Sequence, residues 1–289
     1  MQGALPAYLS LVRFSHSVFA LPFALMGAWI AAAGPPRAGV LGWILVATVA
    51  ARTAAMGFNR LVDRDFDAAN PRTAKRELPA GRLAVGEVRL LVLGSSAVFC
   101  AAAFALGPLC GWLSFPVLAV LLGYSFAKRF TAAAHLVLGL ALGLAPLGAW
   151  LAVRGSLAGD LVPPLVLAFA VLTWVAGFDI LYALQDEEFD RRAGLRSIPA
   201  RLGVARALTV SAWLHVGTFA ALLVLARRLD AGPVFFAALL ASGALLFYEH
   251  RIVRPGDLAR LNTAFFTLNG WMGVGLFAGL ALDFALRGS

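Results

Sequence analysis

Long apolar runs broken by short polar segments organise this chain. Nine runs approach the roughly 20 residues that a helix needs to cross a bilayer: 14–33, 39–59, 87–107, 109–125, 134–153, 161–182, 206–228, 232–249 and 263–286. The third and fourth are divided only at Gly107-Pro108. Strand-like alternation is absent, and lipid cannot satisfy backbone groups, so the pattern predicts helices rather than a barrel. The expectation is an all-α integral membrane protein, one domain over 1–289, with nine transmembrane helices bundled around a central cavity. The first run ends in AAAG like a signal peptide. Its apolar stretch is too long for one and its flank carries little charge, so it is read as a span.

Composition supports this reading. Only 13% of residues are charged, against roughly 25% in soluble domains, and mean hydropathy is +0.84. Of the 24 Lys and Arg, eighteen fall in the N-terminus and in the loops after spans two, four, six and eight. Five lie on the opposite side, and Arg52 lies within span two. The positive-inside rule then puts the N-terminus and the even-to-odd loops in the cytoplasm, as in a multi-pass protein of a bacterial-type inner membrane. The net charge of +9 is this bias, favoured by anionic lipid, and implies no nucleic acid. Cys100 and Cys110 have neither metal-ligand spacing nor a disulfide framework.

Two polar stretches stand out: NRLVDRDFDAANPRTAKRELPAGRL, residues 59–83, and DILYALQDEEFDRRAGLRSIPARLG, residues 179–203. In the first, Asn59, Asp63 and Asp67 recur every four residues and share a helix face, with Asp65 pointing elsewhere. In the second, Asp179, Asp186 and Asp190 likewise share a face. The two look like copies: a helix end, D-x3-D, basic residues, then R-E-L-P-A or R-S-I-P-A. They predict two pseudo-repeated Asp-rich cytoplasmic loops whose acidic faces meet across a shared cavity.

Mg²⁺ prefers oxygen ligands and is commonly held by one or two carboxylates plus substrate phosphates. Arg72, Lys75 and Arg76 follow one D-x3-D, and Arg191, Arg192 and Arg196 the other. This combination fits a diphosphate clamped between two metal sites, where cations stabilise the charge that grows as diphosphate leaves. Asp65, Glu77, Glu187 and Glu188 read as solvated loop charges. Arg52 lies on the face of Asn59, about 10 Å deeper along the span. A charge at that depth pairs structurally or faces a cavity, where it would anchor an anionic group of an organic substrate. Asp179 mirrors it. Tyr124 and Lys128, spaced i, i+4, would line the same mouth. Gly139-x3-Gly143 and Gly275-x3-Gly279 read as close helix-packing sites, Asn269 as a cap or cavity residue. His16, His135, His215 and His250 have no common spacing and no role is assigned to them.

N-R-L-V-D-R-D-F-D with N-P-R-T-A-K-R-E-L-P-A-G resembles the first signature of the UbiA-type membrane prenyltransferases, and D-x2-Y-A-x2-D-x3-D resembles their second. Y-x3-K at the end of span four and R-x6-N at the end of span two also match. The resemblance covers nearly the whole chain. It implies an all-α bundle whose cavity opens to lipid, and an enzyme that ionises a polyprenyl diphosphate with Mg²⁺ and alkylates an aromatic carboxylic acid acceptor. It implies one Mg²⁺ on Asn59, Asp63 and Asp67 and a second on Asp186 and Asp190. Diphosphate would contact Arg72, Arg76, Lys128 and Tyr124, with Arg196 standing where Lys is frequent. Arg52 would take the acceptor carboxylate, and Asp179 would face its hydroxyl. Arg60 replaces a frequent Asp, which removes a ligand. The acceptor expected is 4-hydroxybenzoate, alkylated ortho to the hydroxyl in quinone biosynthesis. A dihydroxynaphthoate of menaquinone biosynthesis is the nearest alternative. A divalent-cation transporter is the alternative of another class, but it should place acids near mid-membrane.

Overall fold

The structure is a computed structural model that describes residues 4–11, 19–254, 257–258 and 260–287. It is helical throughout; among the described residues the only β feature is one isolated bridge, Arg254 to Asp257. The chain begins with α1 (Ala4–Leu11) and a short apolar α2 (Leu21–Ala32). Long helices follow: α3 (Ala38–Val62), α5 (Val85–Leu106), α6 (Pro108–Gly123), α8 (Ala134–Arg154), α9 (Val162–Ala183), α12 (Val204–Arg228), α13 (Pro233–Ile252) and α14 (Asn269–Arg287). Short helices α4 (Arg64–Ala69), α7 (Ala127–Phe130), α10 (Glu187–Arg192) and α11 (Ile198–Leu202) lie between them.

Among the described residues, eight helices are long and apolar enough to cross a membrane. The expected first span differs: α2 is a 12-residue helix, and residues 14–18 of that run lie outside the described residues. The division at Gly107-Pro108 is a true break. Gly107 takes φ 141°, a conformation that favours glycine, and Pro108 opens α6.

Helix α9 is the axis of the bundle. Two-thirds (67%) of its apolar window is buried, against 22% for α3, α5 and α6. It packs on α8 and α12, while α3 pairs with α5, α2 with α8, and α13 with α14. Phe23, Leu167, Trp174, Leu225, Phe235 and Leu276 form the main core. Outward-facing Leu90, Trp112, Trp213 and Trp271 are at least 66% exposed, as suits a chain whose outer solvent is lipid.

Small residues set the closest approaches. A Cβ on Gly139 would meet the Leu172 carbonyl oxygen at 2.3 Å, and one on Gly143 the Ala168 carbonyl oxygen at 2.8 Å, so this pair lets α8 lie against α9. The second small-residue pair divides: Gly279 abuts Ala238 of α13, whereas Gly275 faces open space. Asn269 does not line the cavity; it caps the helical turn Thr263–Leu268, its amide donating to the Phe266 carbonyl and its side chain to the Ala264 carbonyl at 3.0 Å. It accepts from Trp174 Nε1 at 2.6 Å and donates to Glu249 Oε1 at 2.8 Å. Nearby, His215 and His250 meet at 2.9 Å. His16 lies outside the described residues.

Helix α1 docks on the first polar loop. Leu11 packs with Leu78, Leu83 and Val88, and Ser10 donates to Glu77 at 2.6 Å. Arg82 also donates to Glu77, at 3.1 Å. Glu77, read from sequence as a solvated charge, is 4% exposed; it ties the loop to the N-terminal helix.

Candidate active site

The first acidic segment begins where α3 ends. Asp63 stands between α3 and α4, yet its amide bonds the Asn59 carbonyl at 2.9 Å and its carbonyl takes the Asp67 amide at 2.7 Å. The i→i−4 ladder thus runs through the junction, and the predicted common face holds. Asn59 Nδ2 donates to Asp63 Oδ2 at 2.8 Å. Arg129 stands 3.8 Å from Asp63 and donates to the Val62 carbonyl at 2.7 Å, closing the end of α3. Burial, and then the neighbouring Asp67 charge, push the Asp63 carboxyl up to about 6.

Asp67 is 6% exposed. Its Oδ1 accepts from Arg76 Nη1 at 2.6 Å, while its Oδ2 is buried without a hydrogen-bond partner. Asp65 points outward, 86% exposed, and meets only Arg64 among the ion pairs of the described residues.

The second segment arrives from α9. A tight turn at Leu184–Asp186 leads into α10. Asp186 accepts from Asn70 Nδ2 at 2.9 Å, from Arg72 Nε at 2.8 Å and from Arg72 Nη2. Arg72 also donates to the Tyr182 hydroxyl at 3.3 Å. Residues of the first loop therefore bond directly to a carboxylate of the second, over more than a hundred positions of sequence. Asp190 is 3% exposed; its Oδ2 makes no hydrogen bond and lies 3.7 Å from Lys128 Nζ. The Lys128 ammonium lies within electrostatic range of Asp190, Asp179, Asp186 and Asp63, so it faces both acidic clusters.

Tyr124 stands between these clusters and a large cavity. Its hydroxyl is within electrostatic range of Arg60, Asp63, Arg52 and Asp179. The cavity, about 580 Å³, lies among α3, α5, α6, α8 and α9. Apart from Arg52, Tyr124, Thr48 and Ser114, its lining is apolar, from Ile44 and Phe99 to Trp150 and Leu165. Arg52 is the one formally charged residue among the described lining residues. Asp179 accepts from His135 Nδ1 at 2.7 Å.

The structure thus brings together Asn59, Asp63 and Asp67, sets Asp186 and Asp190 beside Arg72 and Lys128, and joins Arg52 and Tyr124 in one cavity wall. Arg196 stands apart. Its guanidinium donates to the Phe130 carbonyl at 2.7 Å and its amide to the Lys128 carbonyl at 2.6 Å, so it stitches the second loop to α7. Asn70, Arg129 and His135 were not singled out from sequence. Asn70 is legible as part of N-P-R-T, but the partners of Arg129 and His135 are set only by tertiary contact.

The donor set suits a hard divalent cation. Among the described residues no three His, Cys, Asp or Glu converge as a complete ligand set. Each cluster instead offers two carboxylates, the number Mg²⁺ uses when phosphate oxygens complete its shell. The buried oxygens Asp67 Oδ2 and Asp190 Oδ2, which accept no hydrogen bond, are costly unless something satisfies them, and a cation would do so.

Comparison with known proteins agrees with this geometry. Residues 20–271 match the UbiA prenyltransferase family. A 4-hydroxybenzoate octaprenyltransferase of Aromatoleum aromaticum is 32% identical, over 98% of this chain and 96% of its own. The apo structure of a UbiA homologue from Aeropyrum pernix K1 is 34% identical, covers 93% of this chain and 98% of that chain, and superposes with a TM-score of 0.84. A UbiA homologue from Archaeoglobus fulgidus bound to DMAPP and Mg²⁺ shares the fold at 20% identity, over 96% of this chain and 99% of that one, with a TM-score of 0.75. With a family match over most of its length and near-full-length relatives above 30% identity, the chain belongs to the UbiA prenyltransferase family.

Proposed function

We propose that this enzyme transfers a polyprenyl group from polyprenyl diphosphate to 4-hydroxybenzoate, ortho to the hydroxyl, in quinone biosynthesis. One observation carries the reading: two pairs of carboxylates, each with a buried oxygen that no hydrogen bond satisfies, gather around Lys128, and Tyr124, close to Asp63, lines an apolar cavity whose charged residue is Arg52. The name of the Aromatoleum aromaticum relative supports the acceptor. Family membership sets aside the transporter reading, and the acids of the proposed site gather at helix ends.

Asn59, Asp63 and Asp67 would hold one Mg²⁺, and Asp186 and Asp190 a second. Bound Mg²⁺ supplies positive charge that stabilises diphosphate as a leaving group. Arg72 and Arg76, paired with Asp186 and Asp67, would be free to contact phosphate oxygens with those carboxylates holding Mg²⁺. Lys128 and Tyr124 would contact the same diphosphate, and Arg196 supports them by holding the second loop. The allylic carbon, left electron-poor by loss of diphosphate, is attacked by the ring carbon ortho to the acceptor hydroxyl. Arg52 holds the acceptor carboxylate, and Asp179 faces its hydroxyl and draws electron density toward the ring. The ring proton passes to the departed diphosphate, which restores aromaticity. The apolar walls keep water from the cation and hold the isoprenoid tail beside lipid.

In this reading the whole of 1–289 is one domain, α2 (Leu21–Ala32) is a ninth membrane-embedded helix, and the N-terminus and both Asp-rich loops face the cytoplasm of a bacterial-type inner membrane. The test is purified protein with Mg²⁺, geranyl diphosphate and a panel of phenolic acids, products read by mass. Prenylated 4-hydroxybenzoate that disappears with excess chelator is expected. A dihydroxynaphthoate product alone would move the acceptor to menaquinone biosynthesis, and full turnover in chelator would overturn the metal reading.

A further inference from the structure

His135 is fully buried, 0% exposed at the start of α8. Both ring nitrogens are committed. The Ile198 amide donates to Nε2 at 3.3 Å, and Nδ1 lies 2.7 Å from Asp179 Oδ2. A nitrogen that accepts an N–H carries no proton of its own, so the proton sits on Nδ1 and points at Asp179. The ring is therefore a neutral donor with its tautomer set by the backbone of α11. No nitrogen is left for substrate.

Asp179 needs such a partner. It lies inside the span of α9, and its carboxylate is within electrostatic range of Lys128 and Tyr124. A carboxylate with no hydrogen bond to a fixed group would swing toward the nearer cation. The imidazole pins Oδ2 and leaves Oδ1 open to a second partner, on a side chain that is 22% exposed.

We propose that His135 is a positioning residue for the transfer reaction: it holds Asp179 as an oriented anion against the acceptor, and acts through Asp179 alone. This rests on the reading that Asp179 faces the acceptor hydroxyl. Anchoring the second loop is not its main task, because two other hydrogen bonds already stitch that loop to the α7 region. These are the Arg196 amide to the Lys128 carbonyl and the Arg196 guanidinium to the Phe130 carbonyl.

The two roles separate by substitution. In His135→Gln the longer amide can still accept from Ile198, but the donor at the Nδ1 position is gone. In His135→Asn the shorter amide restores a donor near Nδ1 and abandons Ile198. Full-length protein in detergent is assayed with Mg²⁺, geranyl diphosphate and 4-hydroxybenzoate. A hydrogen bond to a charged group corresponds to about 10- to 150-fold, so His135→Gln should lose that much in kcat/KM for the acceptor. KM for geranyl diphosphate should stay within about twofold. His135→Asn should recover most of the loss. The reverse order, or an equal loss in both variants, makes His135 a loop anchor and overturns the proposal. So does an equal change in KM for both substrates.

Asp179→Asn distinguishes this inference from the reading beneath it. If Asp179→Asn lowers acceptor kcat/KM and His135→Gln does not, the positioning role fails and the Asp179 reading stands. If Asp179→Asn leaves acceptor kinetics unchanged, both fall. Should His135→Gln not fold, as judged by elution and thermal melt, His135→Asn set against Asp179→Asn carries the test. Acceptor kcat/KM within about threefold of wild type in His135→Asn supports the proposal, and a loss matching Asp179→Asn overturns it.

Discussion

Asp65 and Asp67 sit two positions apart on one short helix, so Asp→Asn at each isolates what position contributes. The Asp65 side chain is 86% exposed and, among the described residues, pairs only with its neighbour Arg64. Such surface pairs contribute about 0–1 kcal/mol, and Asp65→Asn should leave melting and turnover nearly unchanged. The Asp67 side chain is 8% exposed and holds Arg76 at 2.6 Å. An amide oxygen at that position still accepts from Arg76 but loses the charge assistance, which costs about 1 kcal/mol of stability. The effect on the cation is larger. A unit charge lost about 4 Å from even one unit of the cation's charge, in an effective dielectric of about 20, forfeits about 4 kcal/mol, so Mg²⁺ affinity should fall by at least roughly 10³-fold. The assay is a Mg²⁺ titration of geranyl transfer for wild type and both variants, with a thermal melt in detergent beside it. Asp67→Asn should need far more Mg²⁺ than wild type or show no turnover, while melting only slightly lower. Equal Mg²⁺ curves for the two variants would show that burial and facing do not select the ligand, and the one-face argument would be wrong.

Three further outcomes are expected. Arg52→Ala should raise the acceptor KM by about 10- to 150-fold, the worth of a charge-assisted hydrogen bond, with the geranyl diphosphate KM nearly unchanged and acid and methyl ester of the acceptor no longer distinguished. Weaker diphosphate binding instead would place Arg52 in the donor site. Because the Asp63 carboxyl is raised to about 6, protons and Mg²⁺ compete for it below that pH. The Mg²⁺ concentration for half-maximal rate should climb about tenfold per pH unit below 6 and level off above it; a flat response between pH 5 and 7 would remove Asp63 from the ligands. In Gly139→Ala the new methyl meets the Leu172 carbonyl at 2.3 Å, so α8 and α9 must separate, at a cost of about 1–3 kcal/mol read as a lower melting temperature. Gly275→Ala, which meets nothing within 4 Å, is the control and should melt as wild type does.

What the sequence determined by itself is what depends on local period and charge. Apolar run length set the helices: α8 is expected at 134–153 and found at Ala134–Arg154, and α9 at 161–182 and found at Val162–Ala183. The i, i+4 spacing of Asn59, Asp63 and Asp67 put them on one face because backbone bonding carries the helical period through Asp63. The glycine pair of α8 was legible for a similar reason, since a residue without Cβ permits a close crossing wherever a neighbour exists to use it. Gly275 shows the limit, because the same spacing there faces open space.

Tertiary structure alone decided which residues from distant segments meet. Asp186 is bonded by Asn70 and Arg72, 116 and 114 positions earlier. Arg196 turns to the α7 carbonyls rather than inward. His135 reaches both Asp179 and Ile198, and Glu77, one acid among several in its loop, becomes the buried tie to α1. A side chain's partner is set by how helices pack and where loops close, and no sequence period encodes those distances. Local spacing therefore selected the residues of the site, and only the packing of α8, α9 and the two loops assigned each of them its partner.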